Sequence, residues 1–520
     1  MHQFATTAAL QRYLNQWRAE MPHANGTVGF VPTMGALHAG HVSLLKQAKR
    51  ENALVVASIF VNPLQFGPAE DFQVYPRDRE RDRTLCEEAG VDVLFVPEVS
   101  ELGIPANADA ANTDPLTQIV PPPAMTKHLC GRSRQGHFQG VATIVTKLLN
   151  LVQPDRAYFG RKDAQQLAIL QRVVADLNLP VEIVPCPTVR EANGLACSSR
   201  NQGLTPEQRD TAALLYRSLQ KGAAAFQAGE RKNTILIAAV TQSLALEPKL
   251  IPEYVELVDP QTLQPITEFE DAGLLAAAVR LAGTRLIDNI QLRDRKPIVA
   301  IDGPAGAGKS TVTRQLANQL GLLFLDTGAM YRAVTWLVLE QGIDPGDEPA
   351  IAKLVSQCQI QLEVDQGDFH ITINGTDVTK AIRMPEVTAK VSAIAAQAAV
   401  REALVRQQQR YGTQGGVIAE GRDIGTHVFP DAELKIFLTA SPRERARRRQ
   451  QDLIQQGQEA ASLDELEHSI RDRDEQDSTR RIAPLRQAAD AIELQTDDLT
   501  IEQVINQIAQ LYRDRALLPK

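Results

Sequence analysis

Two successive α/β units, each wound around a parallel sheet, are what this 520-residue sequence predicts. Three observations carry that expectation. Short runs of branched apolar residues end at glycine-rich or polar turns and continue into segments of helical composition, the pattern of strands buried on both faces. One run, Pro297–Ile301, stops at Gly303-Pro304-Ala305-Gly306-Ala307-Gly308-Lys309-Ser310-Thr311. Another, Thr27–Pro32, stops at Thr33-Met34-Gly35-Ala36-Leu37-His38-Ala39-Gly40-His41. The first turn is G-x-x-x-x-G-K-S between a strand and a helix. Its glycines let backbone N–H groups converge on phosphate oxygens, and the helix N-terminus adds partial positive charge. Lys309 can reach the β- and γ-phosphates, and the Ser310 hydroxyl can ligate Mg²⁺. Such a loop closes the first strand of its unit, so a unit begins near residue 296 and a different one precedes it.

Composition agrees and excludes several classes. Apolar residues make up 43% and charged residues 23%, ordinary values for a chain with buried cores. A net charge of −8 argues against a general nucleic-acid binder. Five cysteines, at 86, 130, 186, 197 and 358, are scattered with no C-x-x-C pair. That usage suits a reducing cytosol rather than a disulfide framework or a zinc site. The first residues lack a basic-then-apolar leader, and no apolar run approaches the ~18 residues that span a bilayer. We therefore expect a soluble cytoplasmic protein with no membrane or nucleic-acid partner.

In chain order, residues 6–20 form an amphipathic helix with Leu10, Leu14 and Trp17 at helical spacing. The strand at 27–32 leads to H-x-G-H and a helix through Lys49. His38 and His41, three residues apart at a helix start, lie on one side of its first turn, and Gly40 allows a ligand to approach backbone. Imidazole N–H groups beside a helix N-terminus suit developing phosphate charge. A capping histidine plus a core histidine would use the same letters. The position directly after a strand favours nucleotidyl transfer. The apolar stretch 53–61 is a parallel strand ending at the polar turn Asn62-Pro63-Leu64-Gln65-Phe66-Gly67, at the sheet edge where ligands collect. A short strand follows at 91–96, and 99–127 is a Pro-, Asn- and Ala-rich surface insertion without chemistry.

Five motifs in order then become specific: 31–41, 62–66, Gly136-His137-Phe138-Gln139-Gly140-Val141, Gly160-Arg161-Lys162-Asp163-Ala164-Gln165-Gln166, and Thr188-Val189-Arg190 through Ser198-Ser199-Arg200-Asn201. Over residues 1–290 the chain resembles pantothenate synthetase, the pantoate–β-alanine ligases. The resemblance implies a Rossmann-like H-x-G-H nucleotidyltransferase domain (1–185) with a small α+β lid domain (186–290), and dimerisation through this half. It implies two steps. Pantoate carboxylate attacks the α-phosphorus of ATP, and the β-alanine amine then attacks the pantoyl adenylate. By the same resemblance, Met34 to His41, Gly160, Arg161, Lys162, Asp163, Val189, Cys197, Ser198, Ser199 and Arg200 surround ATP. His38, His41 and Lys162 would be catalytic, with His41 the proton donor because imidazole can hold a proton near neutral pH. Gln65 and Gln166 would hydrogen-bond pantoate as neutral amides, although Gln165-Gln166 alone reads as an exposed helix face. Cys130, Arg132 and Cys197 depart from the small or apolar residues expected there. Arg161 adds a charge beside Lys162 that would alter ATP affinity.

Helices at 206–229 and 234–246, a strand at 251–259 and apolar segments from 276 to 289 complete this half. The charged Arg293-Asp294-Arg295-Lys296 is too short for a long flexible linker.

After the phosphate loop comes a strand at 322–325, then Asp326-Thr327-Gly328-Ala329-Met330-Tyr331-Arg332. A hairpin-like stretch at 370–379, a helix carrying Ser392 and Arg401, strands at 416–419, 434–438 and 491–494, and a helix capped at Thr500 follow. With Glu420-Gly421-Arg422-Asp423 and Ile482-Ala483-Pro484-Leu485, residues 296–520 resemble bacterial cytidylate kinase, a P-loop nucleoside monophosphate kinase. That implies γ-phosphoryl transfer from ATP to CMP or dCMP, with Lys309 catalytic, 303–311 on ATP and Ser310 on Mg²⁺. Thr327, Arg332, Ser392, Arg401, Arg422, Asp423, Arg473, Asp477 and Arg480 would hold CMP. Cytosine offers N4–H to a carboxylate and O2 and N3 to a donor, which suits Asp423 with Arg401. The arginine-rich 443–449 reads as a solvated, internally paired helix, a nucleic-acid patch, or a lid over ATP. An adenylyltransferase and kinase of other specificities, or a nucleotide sensor with dead sites, would fit the bare motifs.

Overall fold

Strand, turn and helix alternate along most of the chain, and two parallel sheets result. The computed structural model describes every residue except 22–25, 67–71, 73–74, 106–115, 270, 366–367, 456–460, 480–482, 489 and 517–520. The chain divides into two units, Met1–Asp294 and Arg295–Leu518.

In the first unit, β1 (His2–Phe4), β2 (Val28–Thr33), β3 (Leu54–Ile59), β4 (Val93–Phe95), β5 (Arg156–Gly160) and β6 (Glu182–Cys186) form one parallel sheet, in the order β1-β4-β3-β2-β5-β6. Alternate side chains feed opposite cores. Phe30 and Val56 pack with Leu10, Leu14 and the helix His137–Val152, whereas Val31, Val55 and Ala57 pack with Leu45 and Cys86. Strand order reverses between β2 and β5. Their pairing ends at Phe30 opposite Ala157, so the carboxyl ends separate and leave a crevice, the expected place for a ligand.

Residues 206–227 and 233–245 are helices, the first closed by a capping box between Thr205 and Gln208. They pack on one face of an antiparallel sheet of β7 (Ile251–Val258), β8 (Ala272–Leu281) and β9 (Thr284–Arg293). Leu275, Ala277 and Val279 face those helices; Leu274, Ala276 and Ala278 face Phe138 and Ile169.

The second unit has β10 (Val299–Asp302) at the centre of a parallel sheet, with β11 (Leu323–Asp326), β12 (Ile360–Asp365), β13 (Asp368–Ile373), β14 (Thr376–Asp377), β15 (Val417–Gly421), β16 (Leu434–Thr439) and β17 (Ile492–Gln495) following in the chain. The parallel order is β11-β15-β10-β16-β17, and β12-β13-β14 make a separate antiparallel sheet. Val299 and Ile301 pack under the helices Lys309–Leu320 and Ile501–Ala516; Ile298 and Ala300 face Val334 and Leu404.

Three expectations change. The helix expected around Ser392 and Arg401 is two helices, Pro385–Ala395 and Ala398–Gly412, broken where Gln397 bonds the Pro345 carbonyl. The insertion at 99–127 is not simply surface: Leu102, Ile104 and Met125 are buried, and Ile119 N–H donates to Thr143 Oγ1. Gln165 does not sit on an exposed helix face. It is 3% exposed, donates to the Met125 and His128 carbonyls and accepts from Cys130 N–H, each at 2.9 Å.

Candidate active sites

The crevice between β2 and β5 is a cavity of about 270 Å³. Below it, the turn Met34–Leu37 must reverse sharply, and Gly35 and Ala36 take φ of +81° and +50°. Backbone N–H of Ala36 and Leu37 donate to the buried Asp82 carboxylate at 2.8 and 2.7 Å, which fixes the turn. His38 caps the helix Ala39–Glu51, its Nδ1 accepting from Gly40 N–H at 3.1 Å. One turn on, the His41 ring lies 4.1 Å from the His38 ring, centroid to centroid. Gly40 is needed here, since a Cβ would meet the His38 ring at 2.9 Å.

From the other side of the crevice come Gly160, Lys162, Asp163 and Gln166, and from the 187–199 loop Val189, Cys197, Ser198 and Ser199. Met34, His38, Gly40, His41 and Gln65 complete the expected set along the wall. Gly35, Ala36, Leu37 and Ala39 do not line the cavity; the first three shape the turn beneath it, with Leu37 wholly buried, and Ala39 is an exposed first residue of the helix Ala39–Glu51. Arg161 and Arg200 do not line it either, though the Arg200 charge, after burial, helps hold the Lys162 ammonium below the usual lysine range. Burial, then Lys162, takes His38 down to about 4. Burial, then His38 and Lys162, takes His41 to about 3. The expected proton on His41 near neutral pH is therefore absent in the free protein. A buried cation between two other basic groups is unfavourable. His41 Nδ1 is buried without a hydrogen-bond partner among the described residues.

In the second unit a cavity of about 1440 Å³ takes in the phosphate loop and the arginines together. Ala305 to Thr311 line it; Gly303 and Pro304 do not, because their carbonyls turn inward and accept from Lys309 Nζ at 2.7 Å each. Gly303 has no alternative: at φ +150° its Cβ would fall 2.0 Å from the Leu438 carbonyl oxygen. Thr327, Arg332, Ser392, Arg401, Arg422, Asp423, Arg473 and Asp477 all line the same cavity, while Arg480 lies outside the described residues. Arg401 and Asp423 are buried and paired, and Arg422 Nε donates to Asp477 at 2.9 Å. Arg332 donates to Thr388 Oγ1 at 2.8 Å, and Thr327 to the Glu420 carbonyl at 2.7 Å.

Sequence reasoning missed two carboxylates here. Glu420 and Asp326 face each other across β15 and β11 and both line the cavity. Burial, then Asp326, raises Glu420 to about 7. Each opens a motif at the end of its strand, but only the sheet brings the two together, so their pairing had no local signal. In the helix Pro442–Gln455 the arginine run is both internally paired and turned partly towards the cavity. Arg447 and Arg448 pair with Glu444 at 2.8 and 2.9 Å and line the cavity with Arg449. Arg445 turns inward to Asp474 and the Ala305 carbonyl.

Comparison with known proteins separates the same two stretches of chain. The pantoate–β-alanine ligase family model matches residues 2–291, and the cytidylate kinase family model matches 299–514. A bifunctional pantoate ligase/cytidylate kinase from Trichormus variabilis is 59% identical over 99% of each chain, and one from Nostoc sp. equals it. The chain belongs to the bifunctional pantoate ligase/cytidylate kinase family. The first unit is also similar to the crystal structure of pantothenate synthetase from Thermus thermophilus, at 46% identity and a TM-score of 0.50, covering 56% of this chain and 99% of that one. The chain is thus an enzyme with a ligase half and a kinase half. Among the described residues, no helix is long and apolar enough to cross a membrane.

Proposed function

We infer that the ligase half, with a Rossmann-like domain over 1–185 and a lid over 186–290, condenses pantoate with β-alanine through a pantoyl adenylate. The kinase half, 296–520, would then phosphorylate CMP and dCMP from ATP. The observation carrying the first reading is the convergence of two histidines and Lys162 where strand order reverses. When pantoate carboxylate attacks the α-phosphorus, charge grows on the non-bridging oxygens and on departing pyrophosphate. Fixed donors that await this charge lower the barrier. Neutral imidazole still offers one N–H, and an incoming polyanion beside His41 favours its protonation. Thus His41 gains its proton with substrate rather than before it. Ser198, Ser199 and Lys162 take the leaving phosphates, and Gln65 and Gln166 offer amides to pantoate.

In the kinase half, the supporting observation is that the Arg401–Asp423 pair shares one cavity with the phosphate loop. Two polyanions must meet there, and Arg422, Arg473 and Arg332 reduce their repulsion. Asp423 would accept cytosine N4–H, whereas uracil O4 would oppose it. The orphaned, buried Glu420 Oε2 beside the Ser310 hydroxyl fits a divalent cation carried in with ATP. Ser310 would hold Mg²⁺ directly. When bound, the ion offsets charge on the β- and γ-phosphates. The described cysteines are free thiols, in keeping with a cytoplasmic setting, and a homodimer through the ligase half is expected.

Assaying pantoate, β-alanine and ATP for pantothenate and AMP, and a panel of CMP, dCMP, UMP and AMP for phosphorylation, tests both assignments. CMP and dCMP should lead the panel. A preference for UMP or AMP would defeat the base-reading role of Asp423.

A further inference from the structure

Edge strand β9 reaches both walls of the ligase cavity through two consecutive residues. Asp288 is 4% exposed and accepts from Arg190 Nη1 at 2.6 Å and Nη2 at 3.0 Å. Arg190 lies in the loop that presents Val189 and Ser198–Ser199, donates to the Gly194 carbonyl at 3.1 Å, and stacks 3.3 Å above the Tyr216 ring. Within that loop Cys197 N–H donates to the Val189 carbonyl at 2.9 Å, so whatever holds Arg190 holds the serine turn. The neighbouring Asn289 points the other way. Its Nδ2 donates to the Arg161 and Lys162 carbonyls at 3.0 Å each.

A two-pronged guanidinium–carboxylate contact fixes distance and orientation together, and more firmly when removed from water. Two donors on successive carbonyls do the same for a loop whose φ and ψ are otherwise soft. We propose that Asp288 and Asn289 are positioning residues of the ligase, setting the separation between Lys162 and the Ser198–Ser199 turn. The proposal rests on the reading of this cavity as the triphosphate site. Neither side chain touches substrate; each acts through a loop that does. Of the two amides offered to pantoate, Gln65 is held elsewhere, on the turn Pro63–Gln65 against the helix His137–Val152, and only Gln166 follows Lys162, on the helix Ala164–Asp176. The ATP side of the site should therefore depend on β9 more than the pantoate side does.

The test uses Asn289→Asp and Asp288→Asn in the full chain, each keeping side-chain shape while removing the donors or the charge. Each should raise KM for ATP in pantothenate formation about tenfold, equivalent to about 1.4 kcal/mol. KM for pantoate should stay within about threefold, and CMP phosphorylation should be unchanged, which reports intact folding of the rest of the chain. An unchanged KM for ATP in both variants overturns the proposal, whatever happens to kcat. Lys162→Ala and Ser199→Ala enzymes with wild-type KM for ATP would instead remove the site assignment, and the proposal with it.

Discussion

His41 shows how burial sets chemistry. Its folded value of about 3, and about 4 for His38, lie below the ~6.5 of an exposed imidazole. Between those limits the unfolded chain binds protons that the folded ligase half does not, so stability rises with pH. The contribution is present above ~6.5 and is lost as pH falls towards 3. His41→Gln should flatten the acid limb of the first unit's thermal unfolding measured from pH 7 to 4. An acid limb as steep as wild type would mean His41 is not buried neutral. At this scale, the sequence marked His38, His41, Lys162 and the phosphate loop because each sits in a short motif beside its strand. Asp288 and Asn289 carry no such mark, and Glu420 and Asp326, though each heads a motif, show nothing of their pairing. Their neighbours at the site arrive through sheet pairing or from a distant loop.

At the scale of elements, strand and helix types were legible where period and capping agreed. The box at Thr500, whose Oγ1 accepts from Gln503 N–H at 3.2 Å, starts the helix Ile501–Ala516 as expected. Alternation could not reveal the break at residues 396–397, where a distant carbonyl captures Gln397. Close packing between elements was likewise invisible. Gly140 is the clearest instance. A Cβ there would stand 2.0 Å from the Leu64 carbonyl oxygen, against the turn that carries Gln65. Asn62 Nδ2, donating to the Gly140 carbonyl at 3.1 Å, ties turn and helix together. Gly140→Ala should therefore force the two apart and cost roughly 2 kcal/mol, the scale of an overpacked core. It should raise KM for pantoate in steady-state assays. An unchanged KM for pantoate would show that the turn does not place Gln65.

At the scale of the whole molecule, two parallel sheets with separate cores each present a cavity holding the expected site residues at the carboxyl edge of their strands. Both halves take ATP, yet neither reaction's product is the other's substrate, so nothing in the chemistry requires them to act together. The order of motifs along the chain made this division readable before any coordinates, since a phosphate loop belongs after the first strand of its own unit. The most direct test is a reciprocal pair of variants in the full chain, each assayed for both reactions. His41→Ala should lower pantothenate formation by about 10²–10⁴ and leave CMP phosphorylation at the wild-type rate. Lys309→Ala should lower CMP phosphorylation by at least about 10² and leave pantothenate formation untouched. Loss of both activities from either substitution, with unfolding transitions unchanged, would contradict two independent sites.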